Sequence, residues 1–159
     1  MSISPGGDGP GYELPLLLLA GFRAVIDEAH EELAARGHPE LRPAHGFAMQ
    51  AIGTFGATAA DVGRRLGVSK QAAGKTIDRL AELGYVERGG ESADRRRKLI
   101  RLTPRGTEAL ALSAGAFEHV RARWASLLGA DRVAALEADL SAVAPGQASR
   151  LDTPAWFGG

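Results

Sequence analysis

Apolar residues recur at helical spacing over most of the chain, and charged residues fill the positions between them. The first predicted helix covers residues 14–36 and ends where Gly37 is followed by Pro39. Further helices are predicted over residues 43–52, 59–66, 70–83 and 104–128, and a last one carries Val133, Leu136, Leu140 and Val143. The chain is therefore expected to be mainly α-helical.

Capping residues predict where three of these helices begin. Thr58, followed three residues later by Asp61, fits a capping box, and Ser69 precedes the next helix after a tight turn at Gly67. Thr103 is a capping residue followed directly by proline, which is favoured in the first turn of a helix.

Two short β-strands are predicted between the fourth and fifth helices, over residues 85–88 and 99–102. The loop between them is polar and contains two glycines, which is typical of a hairpin with a long tip. The predicted fold class is mainly α with a small β-hairpin. Residues 1–13 and 145–159 contain many Gly and Pro residues and are predicted to be tails.

The composition limits the classes of protein. The 159 residues suffice for one domain with a substantial core, and 45% of them are apolar. The absence of Cys excludes disulfides, thiol catalysis and thiol-based redox sensing. The longest apolar stretch, residues 14–22, is about half as long as a bilayer span requires. Because no secretory signal is recognised either, a cytoplasmic protein is expected.

An enzyme is not expected, because the sequence has no Ser–His–acid order, no phosphate-binding loop and no paired carboxylates on one element. The four histidines suggest a metal sensor only weakly, since their spacing is irregular and Cys is absent. We therefore predict neither a metal ion nor another cofactor.

The charges are segregated along the chain, although its net charge is zero. Residues 61–105 contain twelve basic and six acidic residues, so this segment carries +6 and the remainder −6. Such a distribution suits a protein that presents one face to a polyanion. Much of the arginine content is also consistent with codon bias in a GC-rich genome.

A short helix, a tight turn, a second helix and a hairpin form the order of a winged helix-turn-helix. On the second helix, Ala73, Ile77 and Leu80 are predicted to face the core. The predicted DNA-contacting residues of this region are Ser69, Lys70, Gln71, Ala72, Gly74, Lys75 and Arg79. Gln71, Lys75 and Arg79 would form one stripe along this helix. The alternative interpretation is that this stripe is an ordinary solvated face. Gly74 is compatible with a close approach to DNA and equally with close helix packing.

The predicted hairpin tip carries four consecutive cations, Arg95, Arg96, Arg97 and Lys98, preceded by Asp94. A narrow minor groove has the negative potential that stabilises inserted arginine side chains. The alternative interpretation of this segment is a disordered basic loop.

Residues 58–106 resemble the MarR family of transcriptional regulators. The resemblance rests on TAADVGRRLGVSKQAAGKTIDRLAELG, on YVER, and on DRRRKLIRLTPRG, whose family pattern is matched by Asp94, Arg96, Leu102, Thr103 and Gly106. It implies that Asp94 holds the wing by pairing with a nearby arginine and that Arg96 reaches the minor groove. The recognition helix starts with Gln71-Ala72-Ala73-Gly74 where the family usually has small hydroxyl residues, which leaves the operator sequence open.

The resemblance also implies an obligate homodimer built from the first and the last two helices. The surplus apolar faces of the Leu16–Leu19 run and of the long helix after Thr103 would then be intermolecular. Family members often bind a small aromatic or anionic effector in a crevice between the two lobes. The candidates to line this crevice are Phe22, Ile26, His45, Phe47 and Met49, for which ordinary core packing is the alternative.

These inferences predict five segments. Residues 1–13 are a tail, 14–56 a dimerisation and crevice region, 57–103 the DNA-binding lobe, 104–144 the C-terminal dimerisation helices, and 145–159 a second tail. The predicted function is sequence-specific binding of double-stranded DNA by a homodimer on a pseudo-palindromic operator. A repressor released by a small effector is favoured over an activator. The alternative is a winged-helix protein-interaction module without specific DNA binding.

Overall fold

The computed structural model describes residues 9–89 and 99–144, which form six α-helices and one β-hairpin. The helices are α1 (Glu13–Ala35), α2 (Pro43–Ile52), α3 (Ala59–Leu66), α4 (Lys70–Glu82), α5 (Pro104–Leu128) and α6 (Ala130–Val143). Strands β1 (Val86–Arg88) and β2 (Ile100–Leu102) lie between α4 and α5. The mainly α-helical fold with a hairpin is confirmed. The predictions for residues 1–8, for the wing tip including Asp94 to Lys98, and for residues 145–159 lie outside the described residues.

The three predicted helix caps are present. The Thr58 hydroxyl accepts a hydrogen bond from the Asp61 amide at 3.1 Å, and the Asp61 carboxylate accepts one from the Thr58 amide at 3.1 Å. The hydroxyls of Ser69 and Thr103 likewise accept from the amides of Ala72 and Gly106. These local hydrogen bonds satisfy amides that have no partner within their helices.

The hairpin is antiparallel, and Glu87 pairs with Arg101 at its centre. Each strand begins one residue later than predicted, at Val86 and at Ile100. Tyr85 does not join the ladder because its amide donates to the Leu80 carbonyl at 2.9 Å, which ends α4. A third segment, which was not predicted, pairs with the hairpin: Ala57 and Ile100 exchange two backbone hydrogen bonds of 3.0 and 2.8 Å. The base of the hairpin is thereby tied to the chain just before α3.

Two separate cores hold the described part together. The larger core joins α2, α3, α4 and the hairpin to Leu33 of α1 and Ala109 of α5. Its most buried members include Ile52, Val62, Ile77, Leu80, Tyr85 and Ile100. The smaller core lies between α1 and α5 and consists of Ala29, Ala116 and Val120. Two ion pairs, Glu28 with Arg123 and Glu32 with His119, connect the same two helices at the surface.

Large apolar side chains remain exposed on the first half of α1 and around α6. We call this set the apolar face; it comprises Tyr12, Leu14, Leu16, Leu17, Leu18, Phe22, Leu127, Leu128, Leu136, Leu140 and Val143. Leu17 is 67% exposed and Leu127 is 70% exposed. The leucine run therefore has a surplus apolar side, as its sequence predicts. Within the described residues, no helix is both long and apolar enough to cross a membrane.

Candidate nucleic-acid interface and adjoining pocket

The turn between α3 and α4 is tight because two glycines allow it. Gly67 adopts a left-handed backbone conformation with φ of 71°, which disfavours residues with a Cβ atom. At Gly63 a Cβ atom would lie 2.9 Å from the Val68 carbonyl oxygen, so the backbone of the turn packs directly on α3. The turn thus sets the direction of α4 relative to α3.

Helix α4 has a buried side and an exposed side, as predicted. Ala73, Ile77 and Leu80 are at most 1% exposed. Gln71, Lys75 and Arg79 lie exposed on the opposite side, together with Ser69, Lys70 and Ala72. The stripe is therefore available to a partner, although its contact with DNA stays a prediction. Arg79 also pairs with Glu82 at 3.1 Å, so its charge is partly compensated.

Gly74 lies on the partly exposed surface of α4. A Cβ atom built at this position would meet no atom within 4 Å. Close packing against another described part of the chain therefore does not explain this glycine. Contact of Gly74 with DNA stays a prediction.

An ion pair between Asp78 and Arg88 connects α4 to strand β1. Arg88 is the last residue of β1, immediately before the segment that leads to the wing tip. The pair therefore fixes the start of the wing relative to the exposed stripe. Asp94 and Arg95, Arg96, Arg97 and Lys98, the predicted wing contacts, lie outside the described residues.

A group of polar side chains lies where the winged helix-turn-helix meets α1 and α5. We call it the junction cluster, and it consists of His38, Tyr85, Arg105 and Glu108. Tyr85 is fully buried and His38 is 2% exposed. The Tyr85 hydroxyl lies 2.7 Å from His38 Nδ1 and accepts a hydrogen bond from Arg105 at 3.2 Å. Sequence reasoning missed this cluster because its members are far apart along the chain.

A small pocket opens between α1, α2 and α5. Three of the five predicted crevice residues, Ile26, Phe47 and Met49, line it. Phe22 and His45 are not among its lining residues. The lining also includes residues that were not predicted, among them His30, Arg42, Ser113 and Phe117. Its volume is about 40 Å³, far below the several hundred Å³ that enclose a drug-sized ligand.

His45 is the only ionisable residue among the five crevice candidates, so it is the one that could bind an anionic ligand through its charge. Its Nδ1 atom instead accepts a hydrogen bond from the Arg42 backbone amide at 3.0 Å, which requires an unprotonated nitrogen. Burial and the nearby cations Arg79 and Arg42 lower the pKa of His45. The structure therefore favours a neutral His45. Arg42 lines the pocket and is therefore better placed than His45 to bind an anionic ligand.

We expect the protein to lose stability in mild acid. The pKa of His30, of His38 and of His45 is lowered from its ordinary value of about 6.5, in each case mainly by burial. Since the unfolded chain takes up these protons at higher pH than the folded chain, the free energy of unfolding should fall as the pH drops below about 6.5. Urea unfolding at pH 7.5 and 5.5 measures this change. Equal stability at both values would contradict it.

The fold and the exposed stripe define a winged helix-turn-helix protein. Residues 41–97 match the model of the MarR family. The matched segment covers 57 of the 159 residues and runs from before α2 past strand β1, so it includes both helices of the helix-turn-helix. No curated protein matches the chain.

Solved structures with the same fold span nearly the whole chain. YusO from Bacillus subtilis is 20% identical, with a TM-score of 0.63, over 85% of this chain and 94% of that chain. Wild-type MarR from E. coli in its apo form is 23% identical, with a TM-score of 0.64, over 87% and 100%. A mutant of MarR from E. coli complexed with operator DNA is 24% identical, with a TM-score of 0.66, over 84% and 94%.

Proposed function

We propose that the protein is a homodimeric, sequence-specific DNA-binding repressor that acts on a pseudo-palindromic operator and is released by a small effector. The observation that carries this proposal is the exposed Gln71–Lys75–Arg79 stripe on a helix whose other side is buried in the lobe. The similar fold of a MarR mutant that is complexed with operator DNA supports it.

The chemistry of the stripe suits the major groove. Glutamine can form two hydrogen bonds with adenine, and lysine or arginine can bind guanine or phosphate. Ala72 and Gly74 are small, so the backbone of α4 can approach the bases closely. The amides at the start of α4, beside Ser69 and Lys70, suit a phosphate group. Arg96, with Asp94 and the neighbouring cations, is proposed to reach the minor groove.

The apolar face supports the homodimer. Its members on α1 and around α6 are too numerous for an isolated soluble chain, and a second copy can cover them with its own equivalent face. A two-fold dimer presents two α4 helices, and its half-sites should lie about one helical turn of DNA apart.

The pocket supports a small, apolar and anionic effector. Its wall is mostly aliphatic and aromatic, and Arg42 and His30 provide polar atoms at the rim between α1 and α2. Because a volume of about 40 Å³ is too small for an aromatic acid, the effector would bind a wider arrangement of the helices. Preference for that arrangement over the DNA-bound one is what allows a ligand to release DNA.

Selection of bound duplexes from a random DNA pool, at low and near-physiological salt, tests the proposal. We expect a palindromic motif that survives the higher salt, and we expect the affinity for it to fall steeply as salt rises. Recovery of no motif, with binding lost at the higher salt, would refute specific DNA recognition. The protein-interaction module would then be favoured.

Replacing Gly74 with alanine separates folding from DNA contact. Because the added Cβ meets nothing within 4 Å, the free energy of unfolding should rise by about 1 kcal/mol, the usual difference between these residues in a helix. Affinity for the selected operator should nevertheless fall, since the methyl group faces the bases. Thermal unfolding and operator titration measure the two effects. A more stable variant with unchanged affinity would place Gly74 away from the DNA.

A further inference from the structure

The junction cluster links three segments through one arginine. Arg105, at the start of α5, donates hydrogen bonds to the Tyr85 hydroxyl at 3.2 Å, the Leu83 carbonyl at 3.3 Å and the Gly37 carbonyl at 3.5 Å. Its guanidinium carbon also lies 4.7 Å from the centre of the Tyr85 ring. The end of α4, the start of the hairpin and the turn after α1 are thereby held to α5.

Two contacts favour one arrangement of hydrogens in this cluster. A guanidinium group can only donate, so the Tyr85 oxygen accepts from Arg105. The Nε2 atom of His38 lies 3.9 Å from Glu108 Oε2, so a hydrogen on Nε2 is directed toward a carboxylate. In this tautomer Nδ1 is free to accept the Tyr85 hydrogen over the 2.7 Å that separate the two atoms. A neutral His38 of this tautomer satisfies all of these contacts.

Tyr85 lies in the short connection between α4 and the hairpin. It follows Leu83 and Gly84 after the end of α4 and directly precedes Val86, the first residue of β1. Its backbone is fixed at both ends, since its amide donates to the Leu80 carbonyl at 2.9 Å and its carbonyl accepts from the Thr103 amide at 3.0 Å. A movement of Tyr85 would therefore displace both α4 and the hairpin.

We propose that His38 is a positioning residue which, only while it is neutral, holds α4 and the wing in their DNA-binding arrangement against α1 and α5. This inference rests on the proposed DNA-binding function and adds a proton as a regulator of it. Binding of DNA and protonation of His38 then disfavour each other. Mild acid lowers the affinity for DNA, and bound DNA lowers the affinity of His38 for a proton.

Protonation of His38 is unfavourable in the observed cluster. A second N–H on His38 would be directed at the Tyr85 oxygen, which already accepts from Arg105, and the Tyr85 hydrogen would then need another acceptor. Arg105 repels the new charge, Glu108 on α5 attracts it, and Glu40 lies near Tyr85 in the turn before α2. Burial and Arg105 outweigh Glu108, so the pKa of His38 is lowered. A proton on His38 therefore favours an arrangement in which the cluster has opened.

The test compares the affinity for the selected operator at pH 7.5 and 5.5 in the wild type, in His38→Asn and in His119→Gln. Asparagine can accept from Tyr85 but does not titrate in this range. We expect acid to weaken wild-type binding about three- to fivefold more than it weakens binding by His38→Asn, because a difference of one pKa unit between free and DNA-bound protein reaches its full tenfold effect only at pH values below both pKa values. His119 is 64% exposed and pairs with Glu32 away from the cluster, so His119→Gln should behave as the wild type does.

Equal acid sensitivity of the wild type and His38→Asn would overturn the inference and leave the DNA-binding function intact. If His38→Asn does not fold, Tyr85→Phe is tested in its place, because this variant keeps the ring and removes the hydroxyl that contacts His38. Its acid response should also be lost, and a retained wild-type response would overturn the inference.

A second readout separates this inference from the proposed function. If the wild type binds no specific duplex at any pH, the proposed function fails, and amide hydrogen-exchange protection of α4 and β1 is then compared at pH 5.5. Lower protection in the wild type than in His38→Asn would support the opening of the cluster by a proton. Equal protection would overturn it.

Discussion

Replacing Leu17 and Leu140 together with aspartate is expected to abolish the proposed homodimer. Both side chains belong to the apolar face, where they are 67% and 40% exposed in the single chain. A dimer would bury two carboxylates per chain without partners, at a cost of several kcal/mol per charge. Since a monomer contacts one half-site at a time, operator affinity should fall by about 10²–10⁴-fold. Sedimentation at micromolar concentration and operator titration measure the two losses.

Phe55→Asp is the matched control for this variant. Phe55 is 89% exposed in the loop between α2 and α3, outside the apolar face. The substitution introduces the same charge at an exposed apolar site, and the dimer should persist. Circular dichroism shows whether each variant keeps its helices. A double variant that remains dimeric would refute the assignment of the apolar face to the interface.

Replacing Gly106 with alanine is expected to destabilise the protein by about 3 kcal/mol, as strong overpacking does. A Cβ atom at this position would lie 2.1 Å from the Tyr85 carbonyl oxygen and 3.2 Å from its carbonyl carbon. These are backbone atoms of the junction between α4 and β1, and they cannot swing away as a side chain can. At roughly 2–4 °C per kcal/mol, the Tm should fall by about 6–12 °C.

Gly115→Ala provides the control on the same helix. A Cβ atom there would meet nothing within 4 Å, so only the helix preference acts, and the variant should gain about 0.5–1 kcal/mol. Thermal unfolding of both variants under identical conditions makes the comparison. A Gly106 variant as stable as the wild type would show that α5 can shift away from Tyr85 at little cost.

The two glycines illustrate what the sequence could predict. Helix preference is a local property that is visible in the sequence, and it predicts that both glycines weaken α5. The helix bounds and the caps at Thr58, Ser69 and Thr103 were predictable for the same reason, since each depends on residues within one turn. The contact of Gly106 with Tyr85 depends on how α5 crosses the hairpin, which local pattern does not encode.

The candidate site also combines features that local sequence predicts with features that depend on long-range packing. The buried side of α4 follows from helical spacing, so the exposure of Gln71, Lys75 and Arg79 could be predicted. The pocket lining could be predicted only in part, because it combines α1 and α2 with α5. Ser113 and Phe117 give no sign along the chain that they will face Phe47. The junction cluster and the pairing of Ala57 with Ile100 likewise arise from long-range packing.

The length of α5 amplifies small rotations. The helix has 25 residues, and about 32 Å separate Gly106 beneath the hairpin from Leu127 on the apolar face. A tilt of about 10° around Gly106 would move Leu127 by roughly 5.5 Å, about the rise of one helical turn. A small change in packing around Tyr85 would therefore displace the apolar face by several ångströms.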